Sequence, residues 1–206
     1  MARPAEFNRE DVVQKSLIVF RQKGYKGASM RDLEAVTGLN PGSFYAAFGN
    51  KHHFFIETLR YFYQKVQLSF TDSLSRHANP IMGLRAFFDS VIECVESNEK
   101  AERCCYMIKS ALEMAATDEQ VAQLMNAHFA EMEHIIYEAL AQAQQQTLIR
   151  QHRDLSVLSK LLINTLYGIN VEGMLEPDKH KLQQMIALLF NELFDLQPEV
   201  ATQLNH

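Results

Sequence analysis

The 206-residue sequence has no tryptophan, only three cysteines and five prolines, and no long uninterrupted apolar run. Three cysteines are too few, and an odd number, for a disulfide scaffold, so a reducing cytoplasm is predicted. The scarcity of proline and glycine argues against collagen-like, propeller-like and loop-dominated folds. No stretch reaches the ~18 apolar residues of a membrane span, and the N-terminus lacks the apolar segment that a secretory signal needs.

Hydrophobic residues make up 47% of the chain, which is ample for a core and excludes a largely disordered protein. The net charge of −5 is unevenly distributed. Residues 1–51 hold eight lysines and arginines against five acidic residues, whereas residues 52–206 hold twelve against twenty. This asymmetry indicates that only the N-terminal region meets a polyanion, although a solvated charged surface would give the same balance.

Apolar residues recur at helical spacing along nearly the whole chain, and no run alternates like a β-strand. Helix starts are indicated at Asn8, Ser29 with Asp32, Asn40 with Pro41, Pro80, and Thr117 with Gln120. Helix ends are indicated at Gly24, Gly38 and Gly49. Later helices are predicted over about 51–75, 102–115, 117–146, 153–170 and 178–195, and a further helix starts at Pro80 and carries apolar residues as far as Val95. The pattern predicts an all-α fold of about nine helices.

Residues 29–48 have the spacing of a helix-turn-helix, in which two short helices are joined by a turn that contains glycine. The second helix of this motif enters the DNA major groove by its N-terminal end. Small residues keep that end slim, hydroxyl groups lie where phosphates would be, and basic side chains can reach phosphate or guanine. An αα-corner that binds nothing would have the same spacing. The predicted DNA contacts are Ser29, Arg31, Asn40, Pro41, Gly42, Ser43, Tyr45 and Lys51.

Residues 9–56 resemble the tetracycline-repressor (TetR) family of bacterial transcriptional regulators. The matching positions are Phe20, Gly24, Tyr25, Ser29, Met30, Arg31, Asp32, Leu33, Gly38, Leu39, Gly42, Ser43, Phe44, Tyr45, Phe48 and Lys51. The resemblance implies a DNA-binding domain of three small helices over residues 1–51. Residues 52–206 would then form a helical body that binds an effector and dimerises. The implied function is a repressor, not an enzyme, released from a near-palindromic operator by a small molecule.

Two positions depart from the family pattern. Ala46 and Ala47 stand where a bulkier side chain is common, so fewer base-edge hydrogen bonds are expected from the second helix. His52 stands where an acid is common, and His52 with His53 is interpreted as a solvated pair at a helix start. The alternative from a different functional class is a helical protein-interaction module that has lost DNA binding.

The body offers an apolar pocket and a dimer interface as hypotheses. Aromatic and methionine side chains could together line a pocket of several hundred Å³. The candidates are Phe62, Phe87, Val91, Met107, Met114, Phe129, Met132 and Tyr167. The last two helices carry more apolar residues than one buried stripe needs, which predicts a four-helix interface with a second copy. Its predicted members are Leu158, Leu162, Leu166, Met185, Leu189 and Phe194.

Residues 104–114 also resemble the start of the sixth helix in a TetR subgroup that carries a Gly-Cys pair there. Some members of that subgroup sense electrophiles or oxidants, and Cys105 aligns with their cysteine. A thiol-based sensor is therefore the alternative on the same scaffold, with a packed core cysteine as the simpler interpretation. The eight histidines lack the spacing of metal ligands, and no metal or cofactor is predicted.

Overall fold

A computed structural model describes residues 7–97, 105–175 and 177–194 of the chain. Over those residues the chain forms nine α-helices and no strand, which confirms the all-α prediction. The helices are α1 Arg9–Gly27, α2 Met30–Thr37, α3 Pro41–Phe48, α4 Lys51–Ser75, α5 Pro80–Ser97, α6 Tyr106–Met114, α7 Glu119–Gln145, α8 Leu155–Glu172 and α9 Lys179–Phe194. The predicted start of α6 near residue 102 lies outside the described residues.

Local capping signals set the helix starts of the N-terminal region. The Asn8 side chain accepts hydrogen bonds from two backbone N–H groups of α1, and Ser29 forms a reciprocal capping box with Asp32 at α2. Asn40 caps α3 through the Ser43 N–H, and Pro41 occupies the first turn. The sequence therefore predicted these three starts correctly.

The start of α7 differs from the prediction by one residue. Asp118, and not Thr117, accepts the N–H of Val121 through its side chain at 3.1 Å. The Thr117 hydroxyl instead donates to the carbonyl of Met114, at the end of α6. Both residue types are good caps, so composition alone did not distinguish the two neighbours.

The chain divides into two compact units. The first unit is Met1–Lys65 with Cys105–Asn126, and the second unit is Val66–Cys104 with Ala127–His206. The unit that holds the helix-turn-helix thus continues past the predicted boundary at residue 51 and includes α6 and the start of α7. The described helices include none long and apolar enough to cross a membrane.

Each unit has an aromatic core. In the first unit, Phe20, Phe44, Phe48, Phe54 and Phe55 are buried, with neighbouring ring centroids 4.3–6.3 Å apart. In the second unit, α5 packs against α8 and α9. Its core includes Phe70 stacked on Phe87 at 4.0 Å, and Phe88 edge-on to Phe190 at 5.5 Å.

Candidate nucleic-acid interface

Helices α2 and α3 form the predicted helix-turn-helix. Gly38 ends α2 in the left-handed conformation with φ of 71°, which glycine adopts without steric cost. Its N–H donates to the carbonyl of Glu34, and Asn40 then caps α3. Only three residues therefore separate the two helices, and the direction of α3 is fixed by the turn.

One face of α3 is buried and the other is open. Phe44 and Phe48 are buried in the first unit, whereas Pro41, Gly42, Ser43 and Tyr45 are exposed. Tyr45 keeps 48% of its surface accessible, a high value for so large an aromatic side chain. The exposed side of α3 is the side that a helix-turn-helix presents to the major groove.

Two of the predicted contact residues also have structural roles. The Ser29 hydroxyl donates to the Asp32 carboxylate at 2.7 Å, and Asn40 Oδ1 accepts the Ser43 N–H at 2.9 Å. Both residues remain exposed, as does Arg31 in the first turn of α2. Ser29 and Asn40 therefore fix the helix starts, whatever further contact they make.

Lys51, a predicted DNA contact at the start of α4, also has a partner within the protein. Its Nζ donates to the carbonyl of Tyr25 and lies 4.4 Å from the centre of the Tyr25 ring. Burial lowers the pKa of Lys51, against the opposing attraction of Glu113 and Asp32. An ammonium group has three donors, so the contact with Tyr25 leaves donor capacity for a phosphate.

The one acidic side chain in the first turn of α2 is neutralised locally. Asp32 Oδ1 accepts from Lys23 Nζ at 2.6 Å. The hydrogen bonds from Lys23 and Ser29 hold the pKa of Asp32 far below its usual range. A carboxylate beside Arg31 would otherwise repel DNA, so this ion pair keeps the surface suitable for a polyanion.

Arg9 holds the C-terminal end of α3 and was not identified from the sequence. Its guanidinium makes a two-point contact with the Glu57 carboxylate at 2.7 and 2.6 Å and donates to the carbonyl of Ala47 at 3.0 Å. It also lies 4.4 Å from the centre of the Phe48 ring. Because Arg9 and Glu57 are 48 residues apart, no local pattern indicates this contact.

The interpretation of His52 as a solvated residue is wrong. His52 Nε2 contacts Asp118 Oδ2 at 2.5 Å, and both side chains are half-buried. Burial opposes the ionisation of Asp118, but the Val121 N–H and His52 outweigh it, so the pKa of Asp118 is lowered. The start of α4 is thus tied to the residue that caps α7.

The eight predicted pocket residues are divided between the two units. In the first unit, Met107 and Met114 are buried, and Phe62 packs edge-on to Tyr106 with ring centres 5.6 Å apart. In the second unit, Phe87, Val91, Met132 and Tyr167 belong to the core or pack against it, and Phe129 lies 4.7 Å from the Tyr167 ring. Each side chain thus has apolar neighbours, and its role as a ligand wall stays a prediction.

A cavity of about 380 Å³ lies elsewhere in the second unit. It contains none of the predicted pocket residues, and exposed polar side chains of α7 form part of its lining. The lining residues are Leu74, Pro80, His134, Ile135, Glu138, Ala139, Ala141, Gln142 and Gln145.

Cys105 occupies the N-cap position of α6 and is partly exposed. A helix N-terminus favours a negative charge, as a thiolate requires. The ammonium of Lys109, four residues further along α6, donates to carbonyl groups of α1. Cys104 and Arg103 lie outside the described residues.

Four of the six predicted dimer residues need correction. Leu158, Leu162, Leu166 and Phe194 are at most 5% exposed and belong to the core of one chain, so they do not present a face to a second copy. Leu189 is partly buried, and Met185 is 41% exposed. Helices α8 and α9 each carry two apolar stripes, and the sequence did not show which one faces inward. The exposed stripe comprises Val157, Leu161, Val171, Met185 and Leu188.

Comparisons with known proteins cover most of the chain. Residues 13–58 match the family model "Bacterial regulatory proteins, tetR family", and residues 80–189 match "Tetracyclin repressor-like, C-terminal domain". The chain is 24% identical over 187 residues to an uncharacterized HTH-type transcriptional regulator of Bacillus subtilis, YezE, covering 90% of this chain and 96% of that protein. It is also 24% identical to the HTH-type transcriptional repressor ComR of Escherichia coli, covering 89% and 87% of the two chains.

A solved structure has the same fold over nearly the whole chain. The regulator CifR, in complex with a 26-base-pair operator DNA, matches with a TM-score of 0.82 and 22% sequence identity. The match covers 92% of this chain and 98% of that one. At this level of identity the likeness establishes the shared fold.

Proposed function

Because this chain belongs to the TetR family of bacterial regulatory proteins, we propose that it is a homodimeric repressor that a small effector releases from a near-palindromic operator. DNA-binding transcriptional regulation is the activity of the family, and relatives such as ComR are named as repressors. The observation that carries the proposal is the open face of α3, which lies opposite two buried phenylalanines.

The residues of the open face have distinct roles in the proposed complex. Pro41 and Gly42 let the backbone of α3 approach the groove, while Ser43 and Tyr45 donate to phosphates. Arg31 contacts a phosphate or the edge of a guanine. Ala46 is exposed and offers a methyl group to thymine. With so few polar groups aimed at bases, DNA shape would contribute to specificity.

Dimerisation is proposed through the exposed apolar stripe of α8 and α9. Leu161 on α8 is 41% exposed and Leu188 on α9 is 62% exposed, and burial of such apolar side chains against a second copy would be favourable. A two-fold dimer requires an operator with two inverted half-sites, and for a helix-turn-helix dimer the two α3 helices are expected about 34–36 Å apart or slightly more. The proposed location is the bacterial cytoplasm, where such regulators act.

Light scattering of two matched variants tests the interface. Leu188→Glu adds a charge to the exposed stripe and should give monomers with weak operator binding. Tyr137→Glu, at an exposed position of α7, is the control and should remain dimeric. Dimers of Leu188→Glu would place the interface on another surface.

The effector is proposed to be an apolar small molecule that binds in the helical body. Thiol sensing is the second candidate, because Cys105 is partly exposed at the N-cap of α6. Treatment of the wild type and Cys105→Ser with a quinone, followed by measurement of DNA binding, distinguishes them. Release of only the wild type from DNA supports sensing through the Cys105 thiol. Equal behaviour of both proteins supports an effector that binds in the helical body.

Fluorescence anisotropy with DNA from the region upstream of the protein's own gene tests the proposal itself. Specific binding should weaken steeply with salt, because phosphate contacts release counterions. Tyr45→Phe should weaken binding to all sequences, whereas Arg31→Ala should also relax base preference. Absence of binding at low salt to every upstream fragment would support the protein-interaction alternative.

A further inference from the structure

Helix α1 contains a break at Gly24, and side chains of α6 form hydrogen bonds with the backbone groups on either side of it. Gly24 has φ of 72° and ψ of 178°, a conformation that essentially only glycine adopts, and it is buried. In an unbroken α-helix the N–H groups of Tyr25 and Lys26 would donate to the carbonyls of Arg21 and Gln22. The break interrupts the hydrogen bonds that span Gly24, these two among them, so the two N–H groups and the two carbonyl groups need other partners.

Two side chains of α6 bind these four backbone groups. Glu113 accepts the N–H of Tyr25 at 2.8 Å through Oε2 and the N–H of Lys26 at 2.7 Å through Oε1. Lys109 Nζ donates to the carbonyls of Arg21 and Gln22. The carboxylate of Glu113 therefore binds the N–H groups of Tyr25 and Lys26, and the ammonium of Lys109 binds the two carbonyl groups that precede the break.

The spacing of the pair suits this arrangement. Lys109 and Glu113 are four residues apart in α6 and so lie on one face of the helix. A Cβ atom on Gly24 would lie 2.5 Å from Glu113 Oε2, so the carboxylate occupies the space that any larger residue would need. The missing side chain at Gly24 thus permits both the backbone conformation and the approach of Glu113.

The broken turn leads directly to groups of the DNA-binding surface. The Tyr25 carbonyl accepts from Lys51, and Ser29, four residues further on, caps α2. Lys23, on the other side of the break, forms the ion pair with Asp32 in the first turn of α2. The direction in which the chain leaves Gly24 therefore sets the start of α2 and the position of Lys51.

We propose that Lys109 and Glu113 are positioning residues for DNA binding, which hold the last turn of α1 in the orientation that the helix-turn-helix needs. They touch no DNA themselves and act through the backbone of Tyr25 and Lys26. This inference rests on the proposed function, because it concerns the affinity of the same surface for DNA. It assigns a role in DNA binding to the segment 105–126, whose sequence carries no DNA-binding motif.

The test uses variants that alter the hydrogen bonds of Glu113 and Lys109 with α1 while keeping the side-chain volume nearly constant. In Glu113→Gln the side-chain amide keeps one acceptor but presents its NH₂ group to the second backbone N–H. In Lys109→Met the stem remains and the donor is lost. The control is Glu119→Gln, an exposed carboxylate of the same unit whose hydrogen bond is to Gln123 in its own helix. Gly24→Ala is a third variant, in which the added Cβ atom on α1 displaces the Glu113 carboxylate.

Three measurements are made on each folded dimer: affinity for the upstream DNA, thermal midpoint, and amide hydrogen exchange at Tyr25 and Lys26. We expect Glu113→Gln and Lys109→Met to bind DNA about tenfold more weakly, since each loses a charge-assisted bond. Exchange at the two amides should rise in parallel in Glu113→Gln, and Glu119→Gln should behave as the wild type. Glu113→Asp, which keeps the charge on a shorter stem, should recover part of the affinity.

A purely structural role predicts a different result. The thermal midpoint would fall while the affinity measured well below that midpoint stayed at the wild-type value, and this outcome would overturn the inference. If Glu113→Gln does not fold, unchanged affinity in Lys109→Met or Gly24→Ala overturns it in the same way. Failure of the wild type to bind any upstream DNA would instead refute the proposed function.

Discussion

The two units of the molecule are stabilised by different kinds of contact. In the first unit, side chains from one segment bind the backbone of a segment far away in sequence, as Arg9 does at Ala47 and Glu113 does at Tyr25. In the second unit, the helices meet mainly through a large apolar core, and ion pairs such as Lys160–Glu133 lie at its surface.

The difference corresponds to what each unit has to do. A DNA-binding surface must hold backbone and side chains at a fixed spacing, and directional hydrogen bonds supply that constraint. A body that accommodates an effector needs packed volume, and apolar packing tolerates changes in shape more readily than a network of buried hydrogen bonds. Substitutions in the second unit should therefore change stability most, and substitutions in the first unit should change DNA affinity most.

The largest effect on stability is expected at the core of the second unit. Phe190 is fully buried between Phe88 and Phe194, and Phe190→Ala should lower the free energy of unfolding by about 3–5 kcal/mol. Urea denaturation at pH 7 measures the change. Leu112→Ala, at a side chain that is 70% exposed, is the control and should be nearly neutral. A loss of less than about 1 kcal/mol for Phe190→Ala would show that this core is loosely packed.

The second largest effect is a pH dependence carried by His128. Burial lowers the pKa of His128 to about 4, whereas an unfolded histidine titrates near 6.5. Between these values the unfolded chain binds a proton that the folded chain excludes, so stability should fall as the pH drops from about 6.5 to 4. The full loss is on the order of 3 kcal/mol.

Urea denaturation at pH 7, 6 and 5 tests this assignment. His128→Gln removes the titrating group and should flatten the dependence, while His134→Gln, at an exposed position of the same helix, should leave it as in the wild type. An unchanged slope in His128→Gln would assign the acid sensitivity to other groups.

The sequence predicted the helix-turn-helix well because its determinants are local. Asn8, Ser29 and Asn40 each bind N–H groups two or three residues ahead, so the pattern itself contains the contact. The exposure of Tyr45 and the burial of Phe44 follow from their neighbouring places on one short helix. For the same reason the fold class could be inferred from periodicity alone.

Two groups of features were not predicted from the sequence, and each has its own physical reason. The contacts of Arg9 with Glu57 and of Glu113 with Tyr25 join residues 48 and 88 positions apart, and such contacts exist only once the chain has folded. The assignment of buried residues such as Leu158 and Phe194 to the dimer interface was wrong for another reason. Leu161 and Leu162 are adjacent in α8 and therefore point in different directions, but periodicity does not tell which side of the helix the same chain covers.

A smaller effect is expected from the anchor of α3. Arg9→Lys keeps the positive charge but loses the two-point contact with Glu57 and the bond to the Ala47 carbonyl. Because the Arg9 and Glu57 side chains keep 53% and 32% of their surface accessible to solvent, the loss of stability should be about 1 kcal/mol or less. DNA affinity should nevertheless fall several-fold, since the end of α3 loses its support.

Anisotropy and urea denaturation of Arg9→Lys and Arg60→Lys measure the two effects. Arg60 is exposed on α4, so its variant controls for the chemistry of the substitution. Equal DNA affinity in Arg9→Lys and the wild type would remove the distinction between the two units at this contact.

The smallest effect is expected at Asp118, which caps α7 and also contacts His52. Asp118→Asn preserves a capping oxygen but weakens the contact with His52, and it should cost less than about 1 kcal/mol at pH 7. Asp154→Asn is the matched control in the second unit, where Asp154 caps α8 through Ser156 and Val157.

The pH dependence of the stability difference between Asp118→Asn and the wild type is the more specific measurement. A carboxylate whose pKa is lowered in the folded state stabilises it at neutral pH, and this contribution disappears as the pH falls through that pKa. The deficit of Asp118→Asn relative to the wild type should therefore shrink as the pH is lowered below about 4. If Asp154→Asn showed an equal deficit at pH 7, capping alone would explain both values, and His52 would contribute nothing that separates the first unit from the second.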